Sequence, residues 1–330
     1  MNQFLRSLTP EQQVAALFFI VFGILTLVSV GAFLLTLRHR SEARDEAWQA
    51  ELKDFRKLLG TSWFMAVMFW LAWAAGDTVA TVLFALIAFF ALREFITLSP
   101  TRRGDHRSLV LAFFVVLPIQ FALVGTRHFD LFTVFIPVYV FLAIPVASAL
   151  AGDTQRFLER NAKLQWGIMV CVYGMSHVPA LLLLDFGGRN WRGKTAFLVF
   201  FLVFVVQTCM LVQHVLTRRL KRPASIPEVS KSFNWYSWAL GMLVGSLVGG
   251  VMSFITPFKP GQGLALGFVA CVAGSMGHLV MKALKRDRGV TAWGHRGMSV
   301  TGANGLLDRV DALCFAAPIF FHSVRWYFGV

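Results

Sequence analysis

Residues 195–216 read TAFLVFFLVFVVQTCMLVQHVL, and this stretch decides the fold. From Ala196 to Val206 every side chain is apolar. A bilayer core needs about 20 such residues per helix. With no water in that layer, a spanning backbone must satisfy itself as a helix or a closed barrel. Working outward, comparable runs occupy 14–37, 61–76, 78–97, 108–125, 130–151, 165–184, 235–255, 262–284 and 312–328. The 330 residues are 57% hydrophobic and 15% charged, whereas soluble domains carry roughly a quarter charged residues. The fold class expected is all-α: a polytopic transmembrane helix bundle of about ten spans, one N-terminal anchor helix plus about nine.

The run 14–37 is too long for the apolar core of a signal peptide and lacks a small-residue cleavage site, so it reads as a retained anchor. Residues 38–58, RHRSEARDEAWQAELKDFRKL, are the most charged stretch. Ala47, Leu52, Phe55 and Leu59 recur near helical spacing, which predicts an amphipathic helix along the membrane surface. The expected organisation is therefore 1–60, an anchor helix with an amphipathic segment, and 61–330, the membrane domain. No internal repeat of the kind many transporters show is visible. The four cysteines (Cys171, Cys209, Cys271 and Cys314) all fall in predicted spans without a CxxC, a pattern unlike a disulfide framework or a zinc site.

A formal charge of +14 raises nucleic acid as a partner, but its distribution points to topology instead. When the loops are assigned to alternate sides, 23 lysines and arginines fall on one side and 7 on the other. This is the positive-inside pattern. It puts both termini outside and the loops 38–60, 217–234 and 285–311 in the cytoplasm. Topology and anionic headgroups account for the charge, with no nucleic acid needed.

Polar residues inside spans need partners. Arg93 and Glu94 close the third span and read as an interfacial ion pair. Ser176 and His177 sit beside Pro179, and His177 reads as a structural histidine. His278 lies in the ninth span with Lys282 one turn later on the same face. The seventh to tenth spans are expected to form one bundle around a polar funnel open to the cytoplasm, with His278 and Lys282 facing the funnel rather than lipid.

That stripe leads into the densest motif, residues 285–313: KRDRGVTAWGHRGMSVTGANGLLDRVDAL. Gly289, Gly294, Gly297, Gly302 and Gly305 allow backbone amides to approach a ligand and to cradle phosphate oxygens. Lys285 and Arg286 are placed to neutralise phosphate. Leu306 then starts a helix, with Asp308 and Asp311 at i, i+3 on one face. Two carboxylates suit Mg²⁺, which takes its remaining ligands from water and substrate phosphates. A basic, glycine-rich loop with paired aspartates at a membrane surface fits a reaction between a nucleotide and a lipid phosphate.

The motif resembles the signature of the CDP-diacylglycerol synthase (phosphatidate cytidylyltransferase) family. That signature runs Lys-Arg-acid, Gly-hydrophobic, Lys-Asp, a Gly-rich turn with a His, then Leu-Asp-Arg-hydrophobic-Asp. The chain matches at Lys285, Arg286, Asp287, Gly289, Val290, Gly294, Gly302, Gly305, Leu307, Asp308, Arg309, Val310 and Asp311. Arg93-Glu94-Phe95, Thr101-Arg102-Arg103, Ile136-Pro137-Val138-Tyr139, Gln165-Trp166-Gly167 and Ser176-His177 are similar to one branch of the family. It departs elsewhere. The family's Asn-Asp falls on Cys209-Met210, its loop Lys and Thr on Phe233 and Asn234, a membrane-embedded acid on His278, the Lys-Asp on Thr291-Ala292, and the turn His on Ala303 or Asn304.

The resemblance implies a divergent member that transfers CMP from CTP to phosphatidate, giving CDP-diacylglycerol and pyrophosphate in phospholipid biosynthesis. It implies Asp308, Asp311 and Lys285 as catalytic residues, with Asp308 and Asp311 holding Mg²⁺. Arg286, Gly289, Gly302, Asn304, Gly305 and Arg309 would bind phosphate and nucleotide. The implied partners are CTP, phosphatidic acid and membrane phospholipids, and a homodimer is one assembly it admits. The implied location is a multi-pass position in the bacterial inner membrane with the site facing the cytoplasm. The alternative is a non-catalytic paralogue that binds phospholipid as an accessory membrane protein.

Overall fold

A computed structural model describes residues 9–38, 46–99, 101–186, 194–220, 222–290, 293 and 305–329. Every regular element among them is helical. The chain divides into two compact units, Met1–Ala75 and Gly76–Val330. The first unit holds α1 (Pro10–Arg38) and α2 (Glu46–Ala74). The second holds α3 (Asp77–Thr97), α4 (Arg103–Gly125), α5 (Phe129–Ala149), α6 (Phe157–Leu183), α7 (Ala196–Leu220), α8 (Trp235–Ile255), α9 (Pro260–Asp287) and α10 (Leu307–Phe328).

Among the described residues, eight helices are long and apolar enough to cross a membrane: Glu11–Leu34 within α1, and α3 to α9. The protein is a membrane-embedded helical bundle. Of the ten runs read in the sequence, the apolar part of α2 (Leu59–Ala74) is shorter than a full span. The tenth run lies in α10, a 22-residue helix whose N-terminal turns carry Asp308, Arg309 and Asp311.

The charged stretch from Glu46 and the apolar stretch from Leu59 form one 29-residue helix rather than a surface helix followed by a span. Glu, Ala, Leu and Lys all propagate helix, and the single Gly60 costs only about 1 kcal/mol, too little to end it. Residues 39–45 lie outside the described set. Within this unit, Phe18 packs on Phe69 (5.3 Å between ring centroids) and Trp73 (5.6 Å). Trp63 donates to the Ser29 hydroxyl at 2.9 Å.

In the larger unit, α7, α8, α9 and α10 pack into one bundle, as the sequence leads one to expect, and α6 packs on α10. Lipid gives helices no hydrophobic reason to associate, so close backbone approach must supply the packing. A Cβ on Gly249 of α8 would fall 2.6 Å from the carbonyl oxygen of Gly263 on α9. Gly277 of α9 makes room for the ring of Phe315, and Gly174 of α6 for the backbone of Cys314. α10 is thus gripped on two sides by glycines.

Away from these contacts, Arg160 at the start of α6 is buried and ties two segments together. Its guanidinium lies 2.8 Å from Asp105 and 2.8 Å from Asp153. His177 is buried: its Nδ1 lies 2.6 Å from the Tyr173 carbonyl, and its ring packs among Phe132 and Phe321. All four cysteines are buried.

Candidate active site

His278 and Lys285 are two helical turns apart on α9 and so lie on one stripe. The first turns of α10 pack against it. The Lys285 amine lies 2.5 Å from Asp308 Oδ1, and His278 Nδ1 lies 2.7 Å from Asp311 Oδ2. The side chains of Asp308 and Asp311 are each only 4% exposed. Their other oxygens accept backbone N–H groups, Asp308 Oδ2 from Trp293 at 3.2 Å and Asp311 Oδ1 from Ala312 at 2.7 Å. Lys282, midway along the stripe, is half-buried.

The end of α9 is set by Gly289, at φ 67°. Its N–H donates to the Arg286 carbonyl at 3.0 Å, and that of Val290 to the Lys285 carbonyl at 3.0 Å. This is a Schellman closure, which needs a left-handed residue at that position. Gly289 therefore has a structural reason to be glycine, in addition to the ligand role its motif implies.

The start of α10 is held from a distant element. Glu94, near the end of α3, is 7% exposed. Its carboxylate accepts the N–H of Gly305 at 2.5 Å and of Leu307 at 2.7 Å. The first N–H groups of a helix have no intrahelical acceptor, and the dipole favours an anion there. The sequence reading of Glu94 as half of an interfacial ion pair with Arg93 is corrected: adjacent residues on a helix do not face each other, and the Glu94 carboxylate is taken by the backbone amides that open α10. The next residue, Phe95, stacks on Trp293 with ring centroids 5.7 Å apart. Trp293 is 2% exposed.

Of the residues expected at the site, the structure brings together Lys285, Asp308 and Asp311, with His278 joining them. Arg286 and Arg309 are exposed at the same end of the bundle. Gly305 sits at φ 74° before α10. Gly302 and Asn304 lie outside the described residues. Sequence reasoning missed Glu94 and Trp293 as site residues. The available signal was the cost of a carboxylate inside an apolar span. Among positions departing from the resemblance, Phe233 is buried, and Asn234 caps α8 by accepting the N–H groups of Tyr236 at 2.9 Å and Ser237 at 3.4 Å.

In donor chemistry, the paired carboxylates fit a hard divalent cation. No cluster of three or more His, Cys, Asp or Glu side chains suited to a metal forms among the described residues. An ion held by Asp308 and Asp311 would complete its shell from water and substrate phosphates.

A model of the Cytidylyltransferase family matches residues 56–327, a range that includes every residue of this site. A relative from Escherichia coli (strain K12), named Uncharacterized protein YnbB, is 31% identical over 276 residues, covering 81% of this chain and 86% of that protein. With the match spanning most of the membrane domain and the whole site, the chain belongs to the cytidylyltransferase family.

Proposed function

We propose that the protein transfers CMP from CTP to phosphatidate, yielding CDP-diacylglycerol and pyrophosphate for phospholipid synthesis. The observation that carries this reading is the pairing of Lys285 with Asp308 and His278 with Asp311 at one end of the bundle, in a chain of this family. Both substrates are polyanions, so fixed cations must offset charge between the attacking lipid phosphate and the departing pyrophosphate. Lys285, Arg286 and Arg309 supply that charge. Asp308 and Asp311 would hold Mg²⁺, which neutralises phosphate charge when bound. The positive end of α10 faces the same region and adds to it. The phosphatidate acyl chains stay in the bilayer in which α3 to α9 are embedded. The positive-inside pattern supports a site on the cytoplasmic side of the inner membrane, where CTP is.

One observation favours a second reading, a phospholipid-binding paralogue without chemistry. His278 stands where many family members carry an acid, and with Lys285 it already engages both carboxylates. The deciding experiment incubates purified protein with labelled CTP and phosphatidic acid vesicles, with and without Mg²⁺. The proposal expects Mg²⁺-dependent labelled CDP-diacylglycerol. Binding of phosphatidate without product or CTP binding would overturn it in favour of the second reading.

A further inference from the structure

We infer that Glu94 and Phe95 are positioning residues: adjacent side chains on α3 that hold the first turn of α10, and with it the Asp308 and Asp311 carboxylates, in register with α9. The inference rests on the proposed function for its catalytic consequence, but its geometry stands without it. Glu94 reaches 211 residues along the chain to the Gly305 N–H and further to that of Leu307. Leu307 is the first residue of α10, and Asp308 is the second. The carboxylate position of Asp308 therefore depends on whether this turn is helical. Without an acceptor, the first N–H groups of a helix are left to water or fray. Glu94 is 7% exposed, so little water is there to replace it.

Phe95 acts on the same aspartate from its other side. Its ring stacks on Trp293, and the Trp293 N–H donates to Asp308 Oδ2 at 3.2 Å. A Cβ on Gly167 of α6 would lie 2.7 Å from the Phe95 ring, so the absence of a side chain at Gly167 leaves the ring its place. Neighbouring residues on α3 thus reach Asp308 by two routes, one through the start of its helix and one through an amide on its carboxylate. Their effect is exerted through Asp308.

The test is Glu94→Gln, which keeps the shape but turns an amide N–H₂ toward one of two N–H donors. Folded protein is selected by size exclusion in detergent. Hydrogen exchange is read at the Gly305 and Leu307 amides, and kcat and KM for CTP are measured with phosphatidic acid vesicles. The expected result is at least tenfold faster exchange at those two amides, with α9 unchanged. kcat should fall about 10- to 100-fold, as a misplacement near 1 Å does, while KM for CTP stays within about threefold. A merely structural role would lower the yield of folded protein but not its kcat. Phe95→Leu is the second variant, expected to show the same split between kcat and KM with faster exchange at the Trp293 amide in place of Gly305 and Leu307, and used alone if Glu94→Gln does not fold. Unchanged exchange, or a kcat within twofold of wild type in folded variants, would overturn the inference. A wild type that makes no product overturns the proposed function instead, and exchange at Gly305 and Leu307 then decides the anchor by itself.

Discussion

The Lys285 amine and the Asp308 carboxylate meet at 2.5 Å with side chains 9% and 4% exposed, a buried ion pair linking the end of α9 to the start of α10. Charges removed from water cost several kcal/mol each, and their attraction offsets that only while both are present. The pair is thus a point of specificity for how α9 meets α10, and a source of instability whenever one partner is lost.

Single variants should therefore be costlier than the pair. Lys285→Met and Asp308→Asn are each expected to destabilise by about 3–5 kcal/mol, because each leaves a buried partner without its counter-charge. The double variant Lys285→Met with Asp308→Leu should lose much less than the sum. Denaturant or thermal unfolding in a fixed detergent measures all three. Fully additive losses would show that the two residues do not interact in the folded protein.

His278 and Asp311 predict a different response to metal. Replacing His278 by Asp puts a carboxylate beside the 4%-exposed side chain of Asp311, where like charges repel unless a cation lies between them. In EDTA, His278→Asp should melt below wild type. With Mg²⁺ it should recover and shift more than wild type does, since a ligand at a hundredfold excess over Kd adds about 2.7 kcal/mol. A melting temperature indifferent to Mg²⁺ in both proteins would remove the metal role proposed for this corner of the bundle.

Sidedness follows from the basic residues. Lys231 and Lys259 are both exposed and lie at opposite ends of α8. The positive-inside pattern puts Lys231 in the cytoplasm and Lys259 outside. The native cysteines are all buried, so Lys231→Cys and Lys259→Cys give clean labels. An impermeant thiol reagent on intact cells should mark Lys259→Cys and spare Lys231→Cys. The reverse labelling would invert the topology and move the site out of reach of cytoplasmic CTP.

Much of the architecture is legible in the order of residues because the bilayer imposes a local rule. A run such as Ala196–Val206 can bury its backbone only as a helix, whatever it packs against. The helix start read at Leu306, one residue before its place in the structure, and the shared face of Asp308 and Asp311 are local too, set by helical periodicity. The stripe from His278 to Lys282 follows from the same periodicity, whereas Gly289 reads in the sequence as a ligand-loop glycine and its closure of α9 comes from the structure.

Local rules alone thus yield most of the membrane helices, the basic bias of their loops, and the two aspartates side by side on one helix face. What those aspartates meet is a matter of packing between distant segments. That His278 takes Asp311 while Lys285 takes Asp308 depends on the antiparallel register of α9 against α10, and this is set by close approaches such as Gly277 under Phe315. That Glu94 serves Gly305 and Leu307 rather than Arg93 depends on α3 lying near the start of α10, 211 residues on. Periodicity speaks for a few turns of one helix. A hydrogen bond between distant segments exists only once packing has brought a buried donor and a buried acceptor together and left neither with water to turn to.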